Sequence, residues 1–382
     1  MKSVFSWSGH FDLYREGWGK IETTNLPRTT CIRWRGILFH RPDLLSGAET
    51  VAKSVSSNER ALPKGIWIEL TNACNLKCSW CYQSTGSMSR RRGMMSFQTY
   101  RKIISEVESF RPMVMLHLAG ESFLHQGLFD FVEYAKQHGL IVGITTNGTL
   151  LSRDNFGILN TGIDEINISL AGVNKEDYFR VRGTQDFDWI KKGIMDLAKK
   201  KIERKSATKI YVVVTATQQN RNDLASFDFE FGQIEGIEGV KIKSLMDWQG
   251  AVDIANMEIR SGFKPRLKMF IRSHEQLFFL FRVARRLQND RIPSLCKEVY
   301  LHAGILWDGT VVPCCLDYDG SINLGNINEK RFLEIYNGEA MARLRGILRS
   351  VKTTRHHPVC GPCLFHTFGK SISLHTFVQN HR

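Results

Sequence analysis

Ile66-Trp-Ile-Glu-Leu70-Thr-Asn-Ala-Cys74-Asn-Leu-Lys-Cys78-Ser-Trp80-Cys81 joins a short apolar run to three cysteines spaced Cys-x3-Cys-x2-Cys. The run Ile66 to Leu70 reads as a β-strand, and the cysteines follow it directly as a loop. Three thiolates leave one corner of a cubane iron-sulfur cluster without a protein ligand, whereas a four-thiolate site is coordinatively closed. An open iron binds and reduces a small molecule, so the spacing points to reactivity rather than to plain electron carriage. A zinc knuckle or a ferredoxin-like loop asks for a fourth Cys or His within a few residues, and none lies between Tyr82 and Leu116.

Outward from this loop, apolar strands alternate with amphipathic segments, the pattern of successive βα units on a parallel sheet. Strands are predicted at Ile66 to Leu70, Met113 to Leu118, Leu140 to Thr145, Glu165 to Leu170, Ile210 to Ala216 and Val240 to Leu245. Helices are predicted between them, at Phe97 to Phe110, Leu128 to His138 and Phe187 to Lys201. The fold class is α/β, a partial (β/α)6 TIM-like barrel with a small C-terminal α+β iron-sulfur module. In such barrels the chemistry gathers on the loops after the strands, where the cysteines fall. Residues 1–62 are aromatic and Arg-rich without clear periodicity and read as an irregular N-terminal extension. The barrel is assigned to 63–250, a helical basic linker to 251–291 and the small module to 292–382. Within that module Val299 to Leu306, Trp307-Asp-Gly-Thr310 and Val311 to Pro313 read as a hairpin with an Asp-Gly turn, followed by a helix from Glu329 to Leu348.

The cysteine spacing, with aromatic Trp80 before the third cysteine, resembles the signature of the radical S-adenosylmethionine superfamily. Ala119-Gly120-Glu121, after the second strand, resembles the family's Gly-Gly-Glu element that holds the cofactor's amino group, with alanine for the first glycine and Ser122 for the common proline. Asn147 in Thr145-Thr146-Asn147-Gly148 and Ser169 at the end of the fourth strand resemble family positions near the nucleoside. Asn-Gly is also a common turn. Arg182 resembles a family arginine that pairs with the cofactor carboxylate, a task suited to a bidentate guanidinium, and Arg180 competes for it. The resemblance implies that Cys74, Cys78 and Cys81 ligate a 4Fe-4S cluster and that S-adenosylmethionine is cleaved to a 5′-deoxyadenosyl radical.

Gly309-Thr-Val-Val-Pro-Cys314 with Leu324-Gly-Asn-Ile327 is similar to the SPASM extension of the same superfamily. Its fuller form needs more cysteines than stand here, and the set Cys296, Cys314, Cys360 and Cys363 resembles the shortened twitch version, with one auxiliary 4Fe-4S cluster, found in the inosamine dehydrogenase of aminoglycoside biosynthesis. Structural zinc satisfies the same spacing. Cys315 is the spare, as an alternative ligand, a hydrogen donor to a substrate radical, or a bystander.

The chain has 382 residues and a formal net charge of +14, with no secretory signal and no apolar stretch long enough to span a membrane. Cytoplasmic residence and reduced, metal-ligating cysteines are expected. Basic runs at Arg90-Arg91-Arg92, Lys199-Lys200-Lys201 and Arg282 to Arg291 suit an anionic substrate, an acidic peptide or an acidic flavodoxin or ferredoxin-type reductant, although solvated helix faces explain the lysines as well. Nucleic-acid binding rests on charge alone. The expected function is oxidation of a polar small molecule, a sugar, aminocyclitol or nucleotide-like intermediate. The alternatives are maturation of a ribosomally made peptide, epimerisation with Cys315 as donor, or a non-enzymatic iron-sulfur or zinc protein that binds nucleic acid.

Overall fold

The computed structural model describes residues 61–152, 154–217, 219–244, 296, 298–350, 353–354 and 356–363, and five short strands before them. The chain divides into two compact units, one holding Met1–Glu59 with Val283–Pro293 and Ser371–Arg382, the other Arg60–Arg282 with Ser294–Lys370. In the first unit β1 (Phe5–Trp7), β2 (Phe11–Arg15), β3 (Glu22–Leu26), β4 (Thr29–Trp34) and β5 (Ile37–His40) form an antiparallel sheet in the order β1-β2-β5-β4-β3. This corrects the irregular extension expected there. Strands of three to six residues that mix Thr, Asp and Arg carry too little apolar contrast for period-two reading. The linker assigned to 251–291 lies outside the described residues, as does the basic run from Arg282 to Arg291.

In the second unit six parallel strands run in sequence order: β6 (Gly65–Ile68), β7 (Met113–Met115), β8 (Ile141–Thr146), β9 (Glu165–Ala171), β10 (Lys209–Ala216) and β11 (Gly239–Ser244). All six match the predicted segments. Helices α1 (Phe97–Val107), α2 (Leu128–Gln137), α3 (Lys175–Arg182), α4 (Phe187–Glu203) and α5 (Leu224–Gly232) fill the intervals. Each strand puts one face against them, and Ile66, Val114, Val142, Ile166, Ile168 and Val212 on that face are fully buried. Helix α1 shows the matching logic: Ser96 caps it by accepting from the Thr99 amide at 3.1 Å, and Tyr100, Ile103, Ile104 and Val107 bury its i, i+3, i+4, i+7 stripe.

The other face carries a different chemistry. Register pairs Met115 with Gly143, Gly143 with Glu165, Asn167 with Tyr211 and Val213 with Lys241, so these residues share the lumen side. The lysine run on α4 is helix surface, with Lys200 paired to Glu203 and Lys201 to Glu238.

The same sheet continues into the C-terminal part. Strand β12 (His302–Ile305) runs parallel to the free edge of β6, then β13 (Thr310–Val312) and β14 (Gly325–Asn326) follow antiparallel, giving nine strands in the order β11-β10-β9-β8-β7-β6-β12-β13-β14. The hairpin is present, yet its first residues form the short helix α6 (Glu298–Leu301) rather than strand. Gly309 adopts φ +89°, as the tight turn requires. The single helix expected from Glu329 to Leu348 is two, α7 (Phe332–Tyr336) and α8 (Glu339–Ile347). Asn337 between them exchanges hydrogen bonds with the Ala61 backbone (3.0 and 3.1 Å), and Gly338 is a poor helix former.

Arg90 is not a surface charge. It forks onto Glu69, which is completely buried, through Nη1 at 2.9 Å and Nη2 at 2.7 Å, and donates to the Tyr318 carbonyl at 2.9 and 2.7 Å. Glu69 also accepts from the Trp307 amide at 3.1 Å, so this ion pair joins the cysteine-loop region to the C-terminal hairpin.

Candidate active site

The cysteine loop leaves β6 and is held by backbone contacts on two sides. The Ser79 amide donates to Val181 O at 2.8 Å, and the Glu121 amide donates to Ala73 O at 2.8 Å. Gly120 makes the second contact possible: it sits at φ +71°, and a Cβ there would lie 2.4 Å from Thr71 O and 2.5 Å from Ala73 O. Cys78 acts on both Cys74 and Cys81, and Cys74 acts on Cys81, each disfavouring a second thiolate. Burial pushes the Cys81 thiol up to about 11 and raises Cys74 as well, with the neighbouring cysteines adding to both. Among the described residues no three Cys, His, Asp or Glu side chains converge on a single ion. A cubane is held at separate corners, so its ligands have no need to converge on one point.

Glu121 is buried and accepts from the Asn147 amide (2.6 Å), Thr146 Oγ1 (2.8 Å) and the Phe123 amide (3.1 Å). A carboxylate has about four lone-pair sites, so one acceptor direction is left for an ammonium. Burial raises the Glu121 carboxyl, while these hydrogen bonds and Arg182 oppose that rise. Ala119 turns its methyl into an apolar cluster with Tyr82, Leu118 and Tyr318, so alanine is accommodated at this position. The Ser122 hydroxyl donates to Leu116 O at 2.6 Å. Asn147 Nδ2 donates to Asn75 Oδ1 at 2.8 Å and lies 3.9 Å from Cys74 Sγ, which ties the third strand's loop to the first cysteine.

The arginine alternatives separate cleanly. Arg180 is half exposed and paired with Asp177 at 3.1 Å. Arg182 is buried, with Nη1 3.0 Å from Cys78 Sγ and Nη2 donating to Ser169 O (2.7 Å) and Ser169 Oγ (3.0 Å). Its Nε is buried without a partner. A donor left open beside the cysteines, with the spare acceptor on Glu121, gives opposite charges for the two ends of an amino acid.

At the other cysteine set, Cys314 has Cys296 and Cys363 among its electrostatic neighbours, and Cys360 has the same two. Burial, with those neighbours, pushes Cys296 up to about 11, Cys360 to about 12 and Cys314 well above the usual thiol range. Cys315 packs against the Tyr82, Leu118, Ala119 and Tyr318 cluster, and Glu298, Lys243 and Cys363 act on it, while it acts in turn on Cys314. Burial pushes it to about 12, so it is a neutral thiol. Cys81 borders the same cluster, in which Tyr82 and Tyr318 stack with centroids 3.8 Å apart and planes at 16°. Asp317 is a turn residue, accepting from the Ser321 (2.9 Å) and Ile322 (2.8 Å) amides.

The lumen holds polar residues that motif reading passed over. Lys241 donates to Glu165 (2.7 Å) and Asn167 (2.8 Å) and lies 3.7 Å over the Tyr211 ring. His117, two residues beyond Met115, and Lys243, two beyond Lys241, extend the same faces at the carboxyl ends of β7 and β11. Lys243 acts electrostatically on both His117 and Cys315. In a flat sheet β7 and β11 would stand about 19 Å apart, four strand spacings. The sheet is therefore rolled. Strand β11, with Val240 and Ile242 on one face and Lys241 and Lys243 on the other, carries this signal in sequence.

Three loop thiols, a buried carboxylate with a spare acceptor direction and a buried arginine with an open Nε lie at the carboxyl ends of a partial barrel, an arrangement suited to a cluster-dependent enzyme. A profile of the Radical SAM superfamily matches residues 68–227, and one of the SPASM iron-sulfur cluster-binding domain matches 296–364. The chain belongs to the radical S-adenosylmethionine superfamily and carries a C-terminal SPASM domain, with 4Fe-4S clusters and S-adenosylmethionine as its cofactors. It is 23% identical over 330 residues to the tungsten-containing aldehyde ferredoxin oxidoreductase cofactor-modifying protein of Pyrococcus furiosus, covering 78% of this chain and 87% of that one. It is 31% identical over 186 residues to the mycofactocin maturase MftC of Mycolicibacterium smegmatis, covering 48% of this chain and 46% of that one. The solved structure of Streptococcus suis SuiB bound to precursor peptide SuiA superposes with a TM-score of 0.59 at 17% identity, covering 84% of this chain and 74% of SuiB. No helix among the described residues is long and apolar enough to cross a membrane.

Proposed function

We propose that this radical S-adenosylmethionine enzyme abstracts hydrogen from a polar substrate seated in the barrel lumen and completes a net two-electron oxidation. The observation that carries the reading is the lumen itself, lined by Glu165, Asn167, Lys241 and Lys243 where a closed barrel packs layers of branched aliphatic side chains. Cys74, Cys78 and Cys81 would hold a cluster able to give one electron to S-adenosylmethionine, and Cys296, Cys314, Cys360 and Cys363 would hold a second able to accept the electron left on the substrate.

The protein's own residues orient the reactants. Glu121 takes the cofactor's ammonium in its remaining acceptor direction, and Arg182 offers its unpartnered Nε to the carboxylate. Asn147 and Ser169 stand beside them on the third and fourth strand ends. The apolar cluster of Tyr82, Leu118, Ala119 and Tyr318 excludes water between the cysteine loop and Cys315. Cys315, a neutral thiol, is the proposed hydrogen donor where the outcome is epimerisation. A flavodoxin or ferredoxin-type protein is the proposed reductant.

Action on a peptide is the second reading, supported by the likeness to MftC and by the 31% identity over 129 residues to the subtilosin biosynthesis protein AlbA of Bacillus subtilis. One experiment separates the two. Anaerobic holoenzyme with dithionite and S-adenosylmethionine is offered deuterated polar small molecules and deuterated peptides encoded beside its gene. Deuterium in 5′-deoxyadenosine from a small molecule, with a product two mass units lighter in hydrogen, supports the first reading. Transfer only from a peptide replaces it, and absence of 5′-deoxyadenosine under every condition refutes both.

A further inference from the structure

Arg182 divides its guanidinium in three directions. Nη2 donates to Ser169 O at 2.7 Å and Ser169 Oγ at 3.0 Å, Nη1 donates to Cys78 Sγ at 3.0 Å, and Nε is unpartnered. Both ends of the contact to sulfur are out of water, with Cys78 6% and Arg182 9% exposed. A charged donor on sulfur is stronger there than the same pair would be at the surface.

The surrounding backbone holds this contact from both sides. The residues next to the two partners are themselves joined, since the Ser79 amide donates to Val181 O at 2.8 Å. Behind Arg182, strand β9 shifts its register against β10 directly after Ser169, and Ala171 takes φ +67°, a conformation that costs energy for a residue with a Cβ. Gly172 then brings the chain so close to α3 that a Cβ there would lie 2.3 Å from the Tyr178 amide nitrogen. Asn174 caps α3 by accepting from the Asp177 amide at 2.9 Å, and Gly183 ends it at φ +71°. The last turn of α3 is thereby pinned between the end of β9 and the cysteine loop.

We propose that Arg182 raises the reduction potential of the cluster held by Cys78, as a positioning residue that acts through that ligand's sulfur. Reduction adds one negative charge to a cluster, so a fixed guanidinium on a ligand sulfur favours the reduced form. The role rests on the reading that Cys78 ligates the loop cluster, and it needs no cofactor bound. It is separate from the carboxylate contact, which uses Nε. Arg180, two residues earlier on α3, is half exposed and paired with Asp177, so it has no part in it.

The test is a potentiometric titration of anaerobic holoenzyme with dithionite as the one-electron donor, without S-adenosylmethionine, read by electron paramagnetic resonance. The loop cluster's signal is the one that S-adenosylmethionine alters in a parallel sample. Arg182→Met should make its reduction about tenfold less favourable, a fall of about 59 mV for one electron. Arg182→Lys keeps the charge and should fall by less, and Arg180→Met should leave the potential in place. Iron content confirms loading, and Arg182→Gln repeats the measurement should the Met variant load less than about half the iron. An unchanged or raised potential in a loaded neutral variant overturns the proposal, as does an equal fall in Arg180→Met or in the auxiliary cluster's signal. A loop cluster that assembles in neither neutral variant makes Arg182 a structural residue and overturns it as well. Absence of any signal responsive to S-adenosylmethionine in the unaltered protein refutes the cluster reading itself, a result distinct from an unmoved potential.

Discussion

Arg90→Met removes the paired counter-charge of a carboxylate that has no solvent exposure. Two guanidinium bonds to Glu69 and two to the Tyr318 carbonyl are lost together, and Glu69 keeps only the Trp307 amide. Breaking a buried pair on one side costs about 3–5 kcal/mol. For a unit of this size about 2 °C of melting temperature accompanies each kcal/mol, so the expected loss is roughly 6–10 °C. Burial holds the Glu69 carboxyl above its ordinary value of 4.5 even with Arg90 opposing, and without Arg90 it rises further. A group that binds its proton more tightly when folded loses stability as pH rises past its unfolded value, so the variant's deficit should be smaller at pH 5 than at pH 8. Calorimetry of the anaerobic holoenzyme measures both. Glu69→Gln/Arg90→Met keeps an acceptor for the Trp307 amide and should recover most of the loss. A shift below about 2 °C in the single variant, or a double variant no better than it, would refute the view that this pair locks hairpin to barrel.

Replacing Cys74, Cys78 and Cys81 with Ala should abolish 5′-deoxyadenosine formation and leave about half the iron, read by chromatography and metal analysis; turnover that persists excludes the loop as the reactive site. Gly120→Ala should cost about 2–3 kcal/mol and lower iron incorporation, because its Cβ would meet backbone oxygens at 2.4 and 2.5 Å; normal melting and iron content would contradict this. Arg182→Lys keeps the charge but loses the fork, and S-adenosylmethionine affinity should fall about tenfold by dialysis; an unchanged value assigns the carboxylate elsewhere. His117 is held at about 4 against an ordinary 6.5, so the unfolded state takes up its proton first and stability should drop as pH falls from 6.5 toward 4. His117→Asn should flatten that limb of a stability-pH profile, and an unaltered limb would show that the imidazole is not buried neutral.

The parallel strands were readable because each buries a full aliphatic face, and the cysteine loop because its spacing is rigid. Glu69 and Arg90 were not, since two charges twenty-one residues apart look like surface until the fold removes them from water. The N-terminal strands escaped for want of apolar contrast. Glu165 and Lys241 escaped because period-two reading marks the apolar face that packs on helices and treats the polar face as solvent, whereas here the two pair with each other on that face of the sheet. The break at Asn337-Gly338 follows from a tertiary hydrogen bond to Ala61 that local propensity does not contain.

Strand β6 gives one side of its main chain to β7 and the other to β12. A truncation that ended the protein before the SPASM domain would strip Gly65–Ile68 of its outer ladder and leave a row of bare amides and carbonyls, the template on which chains zip together. The barrel is therefore not a portable part: grafted or expressed without its C-terminal partner, it would carry its own seed for aggregation at the root of the cysteine loop.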